Sequence, residues 1–233
     1  LVAHNQYTVD VIRQKYPQIE QKRIHIIPHL MLDSAENISD ESSIKARQIL
    51  GIDENVPVIR FLGTIKPYKA LDVLMFAFEF AVEKIPDLHL LVAGQPESSE
   101  MSLLLKQIAR HPNTIVHDGF VADSQVWLYY AAADLAVFPY RHITQSGAVI
   151  KTMASGLPVI VTRVGGLPEL VGDTGWIVEP DNPRMLADQI ISALSNRQQL
   201  KEQGKRGQAL IKANYAPQKI AKQHITLYES LLP

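Results

Sequence analysis

Val58-Ile59-Arg60-Phe61-Leu62-Gly63 is a short apolar run closed by glycine, and Thr64-Ile65-Lys66-Pro67-Tyr68-Lys69 follows it as a turn. From Lys69 to Lys84 the pattern becomes helical, with Leu71, Leu74, Met75 and Phe78 on one face. A buried strand leading into an amphipathic helix is the repeating unit of a parallel α/β sheet. The unit recurs downstream. Leu88–Ala93, Thr114–His117, Asp134–Phe138 and Pro158–Thr162 are each short, apolar and bounded by Gly, Pro or Asp, so they are expected to be buried parallel strands. Helices are expected over Ser99–Arg110, with Ser99 as N-cap, and over Asp123–Ala133. A further one over Ser146–Ser155 is stopped by Gly156-Leu157-Pro158. Arg184–Asn196, Gln198–Asn214 and Gln218–Leu232 read as three closing helices. The alternation predicts a doubly wound, Rossmann-like parallel sheet with right-handed crossovers.

Upstream the pattern weakens. Leu1–Ala3 reads as a strand end, Thr8–Lys15 as a helix and Ile24–Ile27 as a short apolar run before Pro28. Leu32–Ser43 is polar and acidic like a linker, and Ser42–Leu50 is helical up to Gly51. A boundary is expected near Pro28–Asp33.

Bulk properties narrow the function. With 233 residues, 46% hydrophobic and 20% charged, the chain can bury a substantial core, which excludes intrinsic disorder. A net charge of -1 argues against a nucleic-acid partner bound by bulk charge. The absence of cysteine removes disulfides, thiolate metal sites and a cysteine nucleophile. Trp127–Tyr140, the richest apolar run, is too short for a membrane helix and contains Asp134, so no transmembrane segment is expected. The chain opens at Leu1 without a leader and is expected to be a fragment of something longer.

Ligands of an open parallel sheet bind beyond the carboxyl ends of its strands. Lys66, Lys69, Arg141 and Arg163 all fall at that edge, whereas Asn55, Asp87, Asn113 and Asp134 lie at the other. This polarity suits a diphosphate, although scattered surface cations would give the same count. Gln145-Ser146-Gly147-Ala148 opens a helix, where free N–H groups favour phosphate, or where Ser146 is simply an N-cap. Gly165-Gly166-Leu167-Pro168-Glu169 is either a loop that hugs a ligand or a plain strand-to-helix turn. Neither the Gly-x-Gly-x-x-Gly fingerprint nor the P-loop pattern is present, which disfavours a dinucleotide dehydrogenase and a P-loop ATPase. The eight histidines lack zinc-protease spacing, and His25, His89 and His117 read as satisfied core residues; His142 alone lies at the ligand edge. No nucleophile elbow is found, and Trp127, Tyr129 and Tyr130 read as one face of a core helix.

Phe61–Lys69, Ala131–Tyr140, Met153–Ile160 and Val164–Val171 together resemble glycosyltransferase family 4, in the family's order along the chain. The resemblance implies a retaining, metal-independent hexosyltransferase of the GT-B fold, needing no cofactor beyond its nucleotide-sugar substrate. Residues 1–30 would be the tail of the N-terminal domain and hinge, residues 31–215 the donor-binding domain and residues 216–233 the crossover helix. The acceptor, a glycan or lipid-linked sugar in polysaccharide assembly, would need the rest of the N-terminal domain, so this piece alone is expected to be inactive. A cytoplasmic location, with peripheral membrane association through that domain, follows from the same resemblance.

By the same token Lys69 would grip the diphosphate, Lys66 would stand in for a missing arginine at Thr64, and Gly63 would lie beneath. Gly119-Phe120-Val121 would hold the base through its backbone. Gln145, Ser146, Gly147 and Ala148 would present the helix N-terminus. The family's paired glutamates fall on Ile143 and Lys151, the latter in the position that grips the ribose, and Ala70 replaces a glycine. These departures leave a second reading open, a degenerate nucleotide-sugar-binding or scaffolding domain without turnover.

Overall fold

A computed structural model describes residues 1–19, 24–30 and 38–232. Of Leu32–Ser43, read as a linker, residues 32–37 lie outside the described residues and Asp40–Ser43 are helical, and the boundary expected near Pro28–Asp33 is described only as far as Leu30. Strands β1 (Val2–Ala3) and β2 (His25–Ile26) pair in parallel as a two-stranded ribbon, with helix α1 (Gln6–Lys15) between them in sequence. Helix α2 (Asp40–Leu50) then leads into the main domain. It starts earlier than Ser42 because Ser39 and Ser42 cap each other's backbone N–H groups reciprocally.

The main sheet is formed by β3 (Val58–Leu62), β4 (His89–Gly94), β5 (Thr114–Asp118), β6 (Leu135–Phe138), β7 (Val159–Thr162) and β8 (Trp176–Val178). Its order is β5-β4-β3-β6-β7-β8, and every pair is parallel. The doubly wound sheet read from the alternation is therefore present, with one extra edge strand, β8. From β3 the chain winds out to β5, then returns to the other side of β3 with β6. The carboxyl ends of β3 and β6 flank the switch point, where a ligand crevice belongs.

Side-chain alternation along β3 divides the core. Ile59 and Phe61 face a cluster closed by α3 (Leu71–Val82), α4 (Ser99–Ile108) and α8 (Pro183–Ser195). Val58 faces the second cluster, closed by α2, α5 (Asp123–Ala131), α6 (Gly147–Ala154), α7 (Leu167–Val171) and α9 (Arg197–Asn214). Burial of Leu, Ile, Val and Phe side chains at about 1.5–3 kcal/mol each is what holds these layers together. The last helix, α10 (Pro217–Glu229), leaves the sheet and packs Ile220 and Leu227 on Ile27 beside β2.

Further helix starts differ from expectation for local reasons. Ser98, not Ser99, caps α4 by accepting from the Met101 N–H. The helix expected from Lys69 begins only at Leu71, because Pro67–Lys69 forms a 3-10 turn and Ala70 adopts a left-handed φ of 52°. Asp134, read as one of the polar groups of the amino edge, is held in place by Arg47. Its carboxylate accepts from Arg47 Nη2 at 2.9 Å and from the Val58 N–H at 2.8 Å, tying α2 to the sheet.

Candidate functional site

Three neighbouring strands end on glycines that no other residue would replace without strain. Gly63, Gly94 and Gly119 close β3, β4 and β5 with φ of 121°, 152° and 151°. They are stitched edge to edge: the Gly63 N–H donates to the Ala93 carbonyl at 2.9 Å and the Gly119 N–H to the Gly94 carbonyl at 3.3 Å. A Cβ on Gly94 would overlap the Gly63 carbonyl. The carboxyl edge therefore has a floor of bare backbone that a bulky ligand can approach closely.

The turn above this floor is zipped to its neighbour. Ile65, fully buried, donates to the Gln95 carbonyl and accepts from the Glu97 N–H, at 2.9 and 3.0 Å. That places Lys66 Nζ 2.6 Å from a Glu97 carboxylate oxygen, and the hydrogen bond to Glu97 raises the Lys66 pKa. Lys69 is different. A Cβ on Gly63 would stand 3.3 Å from Lys69 Nζ, so the ammonium lies directly over the end of β3. Desolvation, reinforced by the charge of Lys66, holds its pKa below the ordinary lysine value.

The other two edge cations are committed within the protein. Arg141 binds Asp72, Asp181 and the Pro67 carbonyl, and Arg163 Nε donates to Glu179 at 2.7 Å. Of the four edge cations, Lys69 alone has no carboxylate within salt-bridge distance among the described residues.

Helix α6 points its N-terminus at the same edge. Ser146 caps it, accepting from the Val149 N–H at 3.3 Å, so the N-cap reading of Ser146 holds. The N–H groups of Gly147 and Ala148 are first-turn donors without helical acceptors. Gly147 is exposed, and a Cβ added there would meet nothing within 4 Å. The Gln145 side-chain oxygen just before it is buried, with no hydrogen-bond partner among the described residues. Cap and anion site are compatible here: the serine satisfies one donor, and the remaining ones stay free for an anion. Gly147→Ala is expected to leave stability unchanged within about 0.5 kcal/mol while weakening diphosphate binding several-fold by crowding that turn. Denaturation midpoints and calorimetric titration on the same protein check the two halves.

The other positions sort as follows. Thr64 is exposed beside the floor, and Lys151 is half-buried in the second turn of α6. In the loop after β5, Phe120 is 76% exposed while Val121 packs on the core, so Gly119-Phe120-Val121 offers backbone and one free ring. His142 stacks on Tyr68 at 5.4 Å between centroids. His117 and His89 are satisfied, by the Tyr129 hydroxyl and the Asp87 carbonyl, each at 2.9 Å. Gly165-Gly166 hugs protein, not ligand: added Cβ atoms would overlap the Ile143 carbonyl and the Asn5 side chain. Asn5 in turn donates to the Thr144 carbonyl at 2.9 Å, and Glu169 accepts from the Gln6 N–H at 2.8 Å, which docks α1 against this corner.

Sequence pattern alone passes over Arg60, the only charge in β3. It is fully buried, with Nη2 2.6 Å from the Thr152 hydroxyl and its guanidinium 3.9 Å above the Tyr130 ring. Burial lowers its pKa. A cation inside a strand is the available signal.

A cleft of 740 Å³ opens at the opposite edge, lined by Pro57, Asp134, Gly156, Arg197 and Lys201 among others. It lies at the amino ends of the strands, away from the glycine floor and α6, and plays no part in this site. Among the described residues no group of three or more His, Asp or Glu side chains could hold a metal ion, and no helix is long and apolar enough to cross a membrane.

Comparison with known proteins identifies the family and the fold. Residues 56–196 match the family model described as glycosyl transferases group 1. The chain is 26% identical over 248 residues to a D-inositol 3-phosphate glycosyltransferase of Corynebacterium urealyticum, covering 99% of the chain and 56% of that protein. It is 30% identical over 176 residues to mannosylfructose-phosphate synthase of Agrobacterium fabrum, covering 72% of the chain and 38% of that protein. The chain thus spans about half the length or less of these relatives. Anabaena HepE, solved in complex with UDP, superposes with a TM-score of 0.86 at 21% identity, over 98% of the chain and 63% of HepE. Its fold is that of one half of a GT-B glycosyltransferase, and the chain belongs to the glycosyl transferases of group 1.

Proposed function

We propose that this chain is the donor-binding half of a retaining family 4 glycosyltransferase that transfers a hexose from a nucleotide sugar to a glycan or lipid-linked acceptor. One observation carries the reading: Lys69, half-desolvated and free of any carboxylate partner among the described residues, is held over the bare end of β3 at the sheet's switch point. The donor diphosphate would lie between Lys69 and the N-terminus of α6. Lys66 is close by, but binding through it requires that it be shared with or released from Glu97. As the sugar–phosphate bond breaks, negative charge grows on the departing diphosphate. A preorganised ammonium and a helix N-terminus stabilise that charge without a metal ion, more strongly than water would. The base would rest against the backbone of Gly119–Val121, with Phe120 available to cover it. The HepE complex with UDP supports a nucleoside diphosphate as the ligand type and makes UDP the first probe.

A thermal-shift panel of UDP, GDP, ADP and their hexose conjugates tests the reading. At a hundredfold excess over Kd a true ligand is expected to raise Tm by about 5–10 °C. A flat panel at millimolar concentrations removes the donor site.

Lys151 supplies a sharper test of the ribose contact. An ammonium has three donors and no acceptor, whereas a carboxylate accepts from two vicinal hydroxyls at once. Lys151→Glu is therefore expected to raise affinity for the best nucleoside diphosphate about three- to tenfold, by calorimetric titration. A weaker-binding variant would show instead that Lys151 serves the phosphates.

A further inference from the structure

Arg141 follows β6 and stands among the cations whose position suits an anion, but four of its five side-chain N–H donors are already spent. Nε donates to Asp181 Oδ1 at 2.7 Å, Nη1 to the Pro67 carbonyl and Asp72 Oδ1 at 3.0 Å each, and Nη2 to Asp72 Oδ2 at 2.6 Å. The backbone N–H of Arg141 also donates to the Tyr68 carbonyl at 2.8 Å. One residue thus holds the two carbonyls that open the 3-10 turn, the first turn of α3 and the loop after β8. Lys69 lies between the anchored positions 68 and 72.

The held backbone is not one the chain would choose alone. Ala70 and Asp181 are the described non-glycine residues with positive φ, both at 52°, and both belong to the segments that Arg141 ties together. Such conformations persist where the surroundings over-determine them. The fork is suited to this, since a planar guanidinium fixes direction as well as distance against Asp72. Burial pushes the Asp72 carboxyl up, but the hydrogen bonds and charge of Arg141 more than offset it, and the pair stays ionised across the neutral range.

We propose that Arg141 is a positioning residue: it clamps the Pro67–Lys69 turn so that the Lys69 ammonium stays over Gly63, and it does not itself touch the donor. The role rests on the donor-binding reading above, in which Lys69 meets the diphosphate. Removing the clamp lets the turn relax and Lys69 swing to solvent, while the base site on the loop after β5 is untouched.

The experiment is a double-mutant cycle read with two ligands. UDP and uridine are titrated calorimetrically into the wild type, Arg141→Met, Lys69→Met and the double variant. Arg141→Met is expected to lower UDP affinity about tenfold and leave uridine affinity within twofold. On the Lys69→Met background it should change UDP affinity by less than twofold. Additive losses would mean that Arg141 contacts phosphate directly, and equal losses for UDP and uridine would mean a general structural role; either overturns the proposal. Asp72→Asn, which weakens the same fork from its other end and keeps its shape, should reproduce the pattern if Arg141→Met folds poorly.

A ligand-free arm separates this idea from the donor reading. The titration of the Lys69 ammonium, followed by NMR of ¹³C-methylated lysines and facing Lys66 and Glu97 among the described residues, should move up toward the ordinary lysine value in Arg141→Met. If the wild type binds no UDP but that shift appears, the donor reading fails and the clamp stands. An unmoved Lys69 titration overturns the clamp itself.

Discussion

Gly165→Ala is expected to lower the unfolding free energy by about 3 kcal/mol or more. Two effects add. The φ of 55° is left-handed, which costs an L-residue roughly 1–2 kcal/mol. The new Cβ would also overlap the Ile143 carbonyl oxygen and lie 2.7 Å from its carbon. The neighbours cannot give way easily, because the Thr144 carbonyl is pinned by the Gly166 N–H at 3.1 Å and by Asn5 Nδ2 at 2.9 Å. Gly51→Ala is the matched control, with φ of 69° and nothing within 4 Å of its Cβ. It should show the conformational cost alone. Urea unfolding of both variants isolates the overlap, and equal midpoints would mean that the segment from 143 to 144 yields freely. Since that segment leads into Gln145–Gly147, the Gly165 variant should also bind diphosphate more weakly.

The sheet can be read from sequence because buried parallel strands carry no polar alternation to confuse the pattern. Val58–Leu62 is legible to the residue, and the other four expected strands are right within a residue at either end. Trp176–Val178 escapes because three residues at a sheet edge give too little periodicity to register. The late start of α3 escapes for another reason. Its apolar face runs continuously through Leu71 and Leu74, and the one signal of the left-handed Ala70 is that it stands where the resembling family has glycine. Gly204 and Gly207 lie inside the helix expected over Gln198–Asn214. In the fold they let α9 press against Gly156 and Met153, a contact between residues about fifty positions apart.

The candidate site is half visible in the sequence. Loops after strands are where a parallel sheet displays its chemistry, so Gly63, Lys69, Gly119 and Gly147 can be singled out by position alone. Which cations remain available cannot. Arg141 is neutralised by Asp72, sixty-nine positions away, and Arg163 by Glu179 on the far side of a helix and strand. Charge pairing of that kind depends on strand order, and local pattern does not encode strand order. Arg60 shows the same limit from the other side. Its burial against Tyr130 and Thr152 follows from α6 and α5 covering β3, a packing decided by the topology.

Lys69→Met is expected to weaken UDP binding by roughly ten- to 150-fold, the loss of one charge-assisted hydrogen bond at about 1.5–3 kcal/mol, while keeping the apolar stem in place. Lys84→Met, exposed beyond the other end of α3, should change nothing. The pH dependence has a definite sign. Desolvation lowers the Lys69 pKa below 10.5, so the charge-dependent part of the affinity is present at neutral pH and lost as pH rises through that lowered value. Lys66 shifts the opposite way through Glu97 and stays charged over the same window. The alkaline loss of affinity therefore belongs to Lys69 and should be flattened in the variant.

Folding responds in the reverse sense. The unfolded chain holds the Lys69 proton more tightly than the folded one does, so stability rises with pH between the lowered pKa and 10.5. At neutral pH the charged lysine is a liability to the empty fold, and Lys69→Met should make the ligand-free protein more stable even as it loses its ligand. That opposition is the signature of a binding lysine held out of water in advance of its anion. A variant that binds UDP normally, or one that loses binding and stability together, would show that Lys69 serves the fold instead.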